Sequence, residues 1–393
     1  MTLSQSEENL VEEARKLSVD EFRDGAAEVD ESEEYPWDNI KLLVEHGFMG
    51  MTIPTEYGGK GATYLDTVLV VEQIARECAT TARIVVEANM GAIGAIMRYG
   101  SDELKRDAAV LVLAGDKPAI CITEPGAGSD VQAMETTAER DGDEYIINGT
   151  KHWITGGGVS KLHLIFAHEV SGDSDSGIQA FAVMGDPDYP GLEIGEREPT
   201  MGLRGIPERV LRFNKMRVPV SHKLEIPGAD ARGALAGLME AYNAQRIGAA
   251  TVALGIASSA LDLACEYALH RRQFGKSLSE FQGIKWMIAD MDNKVAISRS
   301  LIHAAASAGN GFPDRVMAAR AKLFTAEAAI EVASNALQIF GARGYSRRLP
   351  LERMNRDVRM FTIGGGTAQI MREIIGEQRL RAVNGNRLEN LPV

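Results

Sequence analysis

The run CITEPGAGSD, Cys121 to Asp130, stands where the chain changes texture. It reads as a strand end running into a glycine-rich loop. Upstream, from Leu3 to about Gly115, apolar residues recur at three and four positions, as in DTVLVVEQIARECATTARIVVEANMGAIGAIMRYG, with a turn-rich break at PTEYGGKGA. That spacing predicts amphipathic helices. Downstream, from about Ala119 to Leu224, short β-branched runs take over: AICIT, EYIING, LHLIFA, QAFAVM and RVLRF, separated by Gly, Asp and Pro. From about Ala231 long helical patterns return, among them RIGAATVALGIASSALDLACEYALHRRQF and DRVMAARAKLFTAEAAIEVASNALQIFG, with small residues on their apolar faces. Small side chains suit close helix packing. The order helix, β, helix predicts an α+β fold, mainly α, divided at 1–117, 118–228 and 229–393.

Composition bounds the function. The 393 residues carry a formal net charge of −13, which argues against a general nucleic-acid binder, since phosphate neutralisation needs clustered Lys and Arg. A local basic pocket for one anion stays compatible with it. Three cysteines, Cys78, Cys121 and Cys265, lack C-x-x-C or Cys/His spacing, so neither a disulfide framework nor a zinc site is expected and a reducing cytoplasm fits. The start, MTLSQSEENLVEEARKL, is acidic and polar, unlike a signal peptide. No run of about 18 apolar residues stands out, so no membrane span is expected.

Three stretches carry candidate chemistry. CITEPGAGSD offers backbone N–H groups and hydroxyls to an anion, or serves as a tight turn between strands. KHWITGGG (Lys151–Gly158) places Trp153 and Thr155 at a period of two, an aromatic plate and a hydroxyl against which a flat ring can sit; a core Trp is the alternative. HRRQFGKSLSEFQ (His270–Gln282) gathers Arg271, Arg272 and Lys276 at a helix end, either for a diphosphate or as charges favoured by the helix dipole.

Taken in order, TEPGAGSD, KHWITGG, RRQFGKSLSEFQ, LQIFGARGY, RDVRM and GTAQI resemble the successive motifs of the acyl-CoA dehydrogenases over nearly the whole chain. The resemblance implies an N-terminal helical domain, a central β barrel and a C-terminal four-helix bundle. It also implies a homotetramer with FAD at subunit interfaces, and an acyl-CoA substrate. Carried over by position, Ile122, Thr123, Ser129, Trp153 and Thr155 surround the flavin. Arg271, Gln273, Phe274, Gln282, Gln338, Thr367 and Gln369 hold the dinucleotide, some of them from a neighbouring subunit.

The sequence departs from that family where its chemistry is done. Such dehydrogenases remove a weakly acidic thioester α-proton with a carboxylate. The usual Glu of a Y-E-G-T stretch is replaced by Gly365 in FTIGGGTAQI, and a second known base position, before an Arg on the first bundle helix, is Gln245 in AYNAQRIG. An amide is no useful base near neutral pH. Arg83 is the other anomaly, a charge in the apolar run ATTARIVVEANMGAIGAI that needs a partner. It either pairs with Glu87 one turn on or grips a distal anion of the substrate.

Arg83, Gln245 and Gly365 together resemble the 3-sulfinopropionyl-CoA (3-sulfinopropanoyl-CoA) desulfinase branch of the superfamily, as do MGLRGIPE, AYNAQR and MFTIGGGTAQI. That resemblance implies sulfite release with bound FAD and no net redox change, with Arg83 and Gln245 catalytic. Arg83, Ser129, Asn243, Gln245, Arg246 and the Gly365 N–H are then expected on the substrate. The alternatives are a dehydrogenase for a short or dicarboxylic acyl-CoA, with Glu87 or Glu240 as relocated base and an electron-transfer flavoprotein as partner, or a catalytically silent flavoprotein.

Overall fold

The computed structural model describes residues 3–172, 174–185, 188–228, 231–307 and 311–383. Among them seven α-helices come first: α1 (Gln5–Leu17), α2 (Ala26–Ser32), α3 (Trp37–Glu45), α4 (Tyr64–Glu77), α5 (Ala79–Asn89), α6 (Ala92–Tyr99) and α7 (Asp102–Leu113). Their starts follow from local chemistry. Ser4 and Glu7 cap α1 reciprocally, and Thr63 and Asp66 do the same for α4, each pair satisfying two orphan N–H groups of a first turn. Every residue of α5 is buried, Arg83 and Glu87 included.

Seven strands follow: β1 (Ala119–Cys121), β2 (Thr137–Asp141), β3 (Glu144–Thr155), β4 (Leu162–Ser171), β5 (Ser174–Met184), β6 (Leu192–Arg197) and β7 (Glu208–Pro219). They form one mixed sheet in the order β1-β4-β2-β3-β7-β6, with β5 also paired to β4. The residues of β4 are shared: His163–Ile165 pair in parallel with β1, and His168–Val170 in parallel with β2. Ala119, Ile147, Ile165, Phe181, Phe213 and Met216, from β1, β3, β4, β5 and β7, close over a common apolar core, as the barrel reading expects.

The chain returns to helices with α8 (Ala231–His270), α9 (Gln282–Ala306), α10 (Arg315–Phe340), α11 (Leu351–Val358) and α12 (Ala368–Arg381), the first two linked through a short hairpin of Arg272–Gln273 and Lys276–Ser277. Helices α8, α9 and α10 pack on one another and α12 packs on α10. Close packing follows from the alanines: Ala318, Ala321, Ala329, Ala333 and Ala336 are all fully buried on α10. Helix α8 also packs against α4 and α5, so the first and last thirds share one apolar core.

One sequence expectation needs correction here. Helix α8 does contain an 18-residue apolar window, with mean hydropathy 1.6, but 89% of that window is buried within the fold. Its apolar character comes from lying between two helical layers.

Candidate active site

A cavity of about 1470 Å³ opens where α5, the β1 end, the start of β7, α8 and the Gly364–Thr367 turn meet. The sequence motifs reach it through a buried ion pair. Glu124, in the CITEPGAGSD loop, accepts from Lys151 Nζ at 2.7 Å, from Glu135 N at 2.6 Å and from Thr136 N at 3.1 Å, and Lys151 also donates to the Ile122 carbonyl at 3.0 Å. Burial opposes ionisation of Glu124, yet the backbone N–H of Glu135 and the Lys151 ammonium outweigh it and hold the carboxyl below its ordinary range. The pair ties the loop of the first motif to the strand of the second.

Trp153 and Thr155 both line the cavity, though not by the simple alternation expected of a strand. The β3–β7 register slips between Lys151 and Ile154, and Trp153 takes φ +57. The bulge turns the indole out, leaving it 52% exposed and stacked on His152 at 5.0 Å. Directly opposite Thr155 in the ladder stands Glu208, whose carboxylate accepts from Thr155 Oγ1 at 2.8 and 2.9 Å.

The interior end of the cavity is a charge cluster. Arg83 Nε donates to Glu87 Oε1 at 2.6 Å, while Lys117 Nζ donates to the other oxygen of Glu87 and to the Thr155 carbonyl at 2.8 Å. Burial works against the Glu87 carboxylate, but Lys117 and Arg83 overcome it and keep its pKa low. Burial likewise opposes the Arg83 charge, and Glu87 and Glu208 more than restore it. Glu208 differs: burial raises its carboxyl to about 7, with Arg83 and Thr155 offsetting only part of the cost.

On α8, Gln245 is buried, and its Oε1 has no hydrogen-bond partner among the described residues. A buried acceptor left bare costs about 1–3 kcal/mol, a cost that a donor placed in the cavity would offset. Gly91 makes room for it: a Cβ there would meet Gln245 Oε1 at 2.8 Å. Asn243 is committed internally, donating to the Pro313 carbonyl at 3.1 Å and accepting from Arg246 Nη1 at 2.7 Å. Its geometry makes it a support for Arg246. The guanidinium of Arg246 lies 5.7 Å over the Tyr242 ring, and burial lowers its pKa.

Gly365 takes φ +73, and a Cβ built there meets nothing within 4 Å. Space for a side chain therefore exists where the sequence has none. The next carbonyl, of Gly366, accepts from Lys322 Nζ, a fully buried ammonium whose pKa falls to about 7 through burial, with Arg246 and Arg83 adding repulsion. Thr367 caps α12 by accepting from Ile370 N at 3.2 Å.

Arg83, Ile122, Thr123, Ser129, Trp153, Thr155, Asn243, Gln245, Arg246, Gly365 and Thr367 thus line one cavity. Arg271, Gln273, Phe274, Gln282, Gln338 and Gln369 do not; all but the half-buried Arg271 are exposed, Phe274 at 93%. Glu87 and Glu240 are poorly placed as bases, the first locked by two cations and the second exposed. Sequence reading gave no role to Lys117, Glu208 or Lys322, although Lys322 sat inside the helical run DRVMAARAKLFTAEAAIEVASNALQIFG and Glu208 inside MGLRGIPE.

Family models for the acyl-CoA dehydrogenase N-terminal, middle and C-terminal domains match residues 4–116, 119–216 and 235–380. The chain belongs to the acyl-CoA dehydrogenase family. Within it, the chain is 56% identical over 370 residues to the 3-sulfinopropanoyl-CoA desulfinase of Paraburkholderia xenovorans (94% of this chain, 95% of that one). It is 54% identical over 372 residues to that of Cupriavidus necator (94% of each). The solved butyryl-CoA dehydrogenase of Megasphaera elsdenii superposes with a TM-score of 0.91 at 31% identity, covering 97% of this chain and all of that one. A glutaryl-CoA dehydrogenase of Mycobacterium smegmatis solved with FADH2 gives 0.88 at 25% identity, covering 98% and 97%. An acyl-CoA dehydrogenase fold is thereby established, with its β segment between two helical ones along the chain.

Proposed function

We propose that this acyl-CoA dehydrogenase family member is a 3-sulfinopropanoyl-CoA desulfinase, converting 3-sulfinopropanoyl-CoA and water to propanoyl-CoA and sulfite with FAD bound. The observation that carries the reading is Arg83, a buried guanidinium kept charged on the cavity wall. Its neighbours Arg246 and Lys322 add positive potential, so the interior end suits an anionic acyl terminus. Relatives of more than half identity that carry the desulfinase name support the same substrate.

The cavity fits a flavin. It offers the exposed Trp153 face, the Thr155 hydroxyl and the Ile122–Thr123 edge, all on the wall fixed by the Glu124–Lys151 pair. When bound, FAD supplies a reversible electron-pair acceptor. Arg271, Gln273, Phe274, Gln282, Gln338 and Gln369 lie on the surface, which suits a dinucleotide shared with another copy in a homotetramer.

The chain's own residues do the positioning. Arg83 holds the sulfinate by charge-assisted hydrogen bonds. Gln245, with Oε1 free, orients the sulfinate or an attacking water. The Gly365 N–H makes no hydrogen bond within the described residues and donates to the thioester oxygen. Neither Gln245 nor Gly365 can take an α-proton, so the pocket does not dehydrogenate its own product.

Purified protein mixed with 3-sulfinopropanoyl-CoA is expected to release sulfite without an electron acceptor. Absence of sulfite, together with acceptor reduction by a saturated acyl-CoA, would falsify the reading. It would instead support a dehydrogenase with an electron-transfer flavoprotein as partner, for which Glu208, not Glu87 or Glu240, is the carboxylate the geometry favours.

A further inference from the structure

We propose that Glu208, through the hydroxyl of Thr155, holds and delivers the proton that carbon takes up when the C–S bond breaks; this rests on the desulfinase reading. Cleavage of that bond leaves an electron pair on carbon. A proton must reach it inside a cavity where both family base positions are occupied by Gln245 and Gly365.

The wall holds few carboxylates suited to the task. Glu87 is fixed between Arg83 and Lys117. Asp130, Glu240, Asp314 and Glu373 are exposed, and Glu377 pairs with Arg381 at 3.5 Å. Glu208 is left: it lines the cavity at the start of β7 and accepts from Thr155 Oγ1 through both oxygens. A hydroxyl has one proton to give and two lone pairs. When Glu208 is ionised, Thr155 donates to it. When Glu208 is protonated, its O–H donates to Thr155, whose own proton is freed toward the cavity.

The charged groups around Glu208 suit such a relay. Arg83 and Glu87 face it from α5, Lys117 from the segment before β1 and Tyr242 from α8. Burial dominates over the attraction of Arg83, and the carboxyl lies at about 7, where both states are populated near neutrality.

The step balances with water alone. The C–S bond breaks with its pair going to carbon, and carbon takes the proton relayed from the Glu208 acid. Water adds its hydroxyl to sulfur, and its remaining proton returns to Glu208. Sulfur gives up to carbon the two electrons of the broken bond and passes from sulfinate to sulfite, so the overall reaction needs no external oxidant or reductant.

The test uses the FAD-loaded enzyme and Glu208→Gln, whose amide carbonyl still accepts from Thr155. Sulfite release from 3-sulfinopropanoyl-CoA is expected to fall by about 10²-fold or more, the scale of a lost general acid. The wild-type decline of rate as pH rises through about 7 should vanish in the variant, and Glu208→Asp should restore part of the rate. Independently of turnover, infrared pH titration should show a protonated-carboxyl band near neutrality that Glu208→Gln lacks. If the wild type releases sulfite but Glu208→Gln keeps its rate, its pH profile or that band, the relay is overturned and desulfination stands. If the wild type releases no sulfite, the functional reading fails, and the relay with it.

Discussion

Arg83 and Glu87 are bonded across one turn of α5, Nε to Oε1 at 2.6 Å, and the contact leaves the rest of the guanidinium on the cavity wall. The Nη1 contact is to the Met360 thioether at 3.7 Å, a weak acceptor that the proposed sulfinate oxygen would displace. Helical pairing and anion binding are therefore not rival uses of this arginine. Glu87 fixes the side chain through one nitrogen, and a fork of donors stays available.

Removing the grip without the fold is the first prediction. Arg83→Ala should abolish sulfite release while FAD stays bound, because the wall carrying Trp153 and Thr155, proposed above to meet the flavin, rests on the separate Glu124–Lys151 pair. The flavin absorbance spectrum and a sulfite assay on the same sample check it. Unchanged kinetics would remove Arg83 from the substrate site.

Glu87→Gln should act on stability. It strips the counter-charge from two buried cations, Arg83 and Lys117, at once. Breaking a buried pair by deleting one partner costs about 3–5 kcal/mol, so a drop of many degrees in apparent Tm is expected. A Tm within a degree or so of wild type would mean that both cations find other partners.

The layer order and one wall of the site were legible in the sequence, and the reason is local. Capping residues such as Thr63 and Asp66, β-branched runs such as LHLIFA and the glycine-rich loop each act within a few residues. The charge cluster was not legible, since Glu87, Lys117 and Glu208 meet only after α5, β1 and β7 pack together. Lys322 was hidden for the opposite reason: on an alanine-rich helix it reads as a solvent-facing lysine, yet it is fully buried against the Gly366 carbonyl.

Gly365→Glu tests whether the family's base was lost for steric or chemical reasons. A side chain there meets open space, and the cost is backbone strain at φ +73, of about 1–3 kcal/mol. The variant should fold, release less sulfite and gain acceptor reduction with propanoyl-CoA or butanoyl-CoA. Gly365→Ala carries the strain without the carboxylate and should gain nothing.

Glu208 should also leave a mark on stability. Its folded-state pKa of about 7 lies above the ordinary 4.5, so the folded protein binds this proton more tightly than the unfolded chain does. That contribution is full below about pH 4.5 and is lost as pH rises through about 7, at most roughly 3 kcal/mol. Apparent Tm of the loaded enzyme, followed from about pH 5 to 8, should fall less steeply in Glu208→Gln than in wild type. Parallel curves would show that the carboxyl titrates in its ordinary range.

Lys322 titrates with the opposite sign. Its pKa is depressed from 10.5 to about 7, so the unfolded chain binds the proton more tightly between those values and stability rises with pH across that window. Lys322→Met keeps the aliphatic bulk while deleting the ammonium and its bond to the Gly366 carbonyl. The variant should therefore lose the pH-dependent gain in apparent Tm between about pH 7 and 9. It should also raise KM for 3-sulfinopropanoyl-CoA more than it lowers kcat, because the loosened carbonyl belongs to the turn that presents the Gly365 N–H. Equal changes in kcat and kcat/KM would instead place Lys322 in the chemical step.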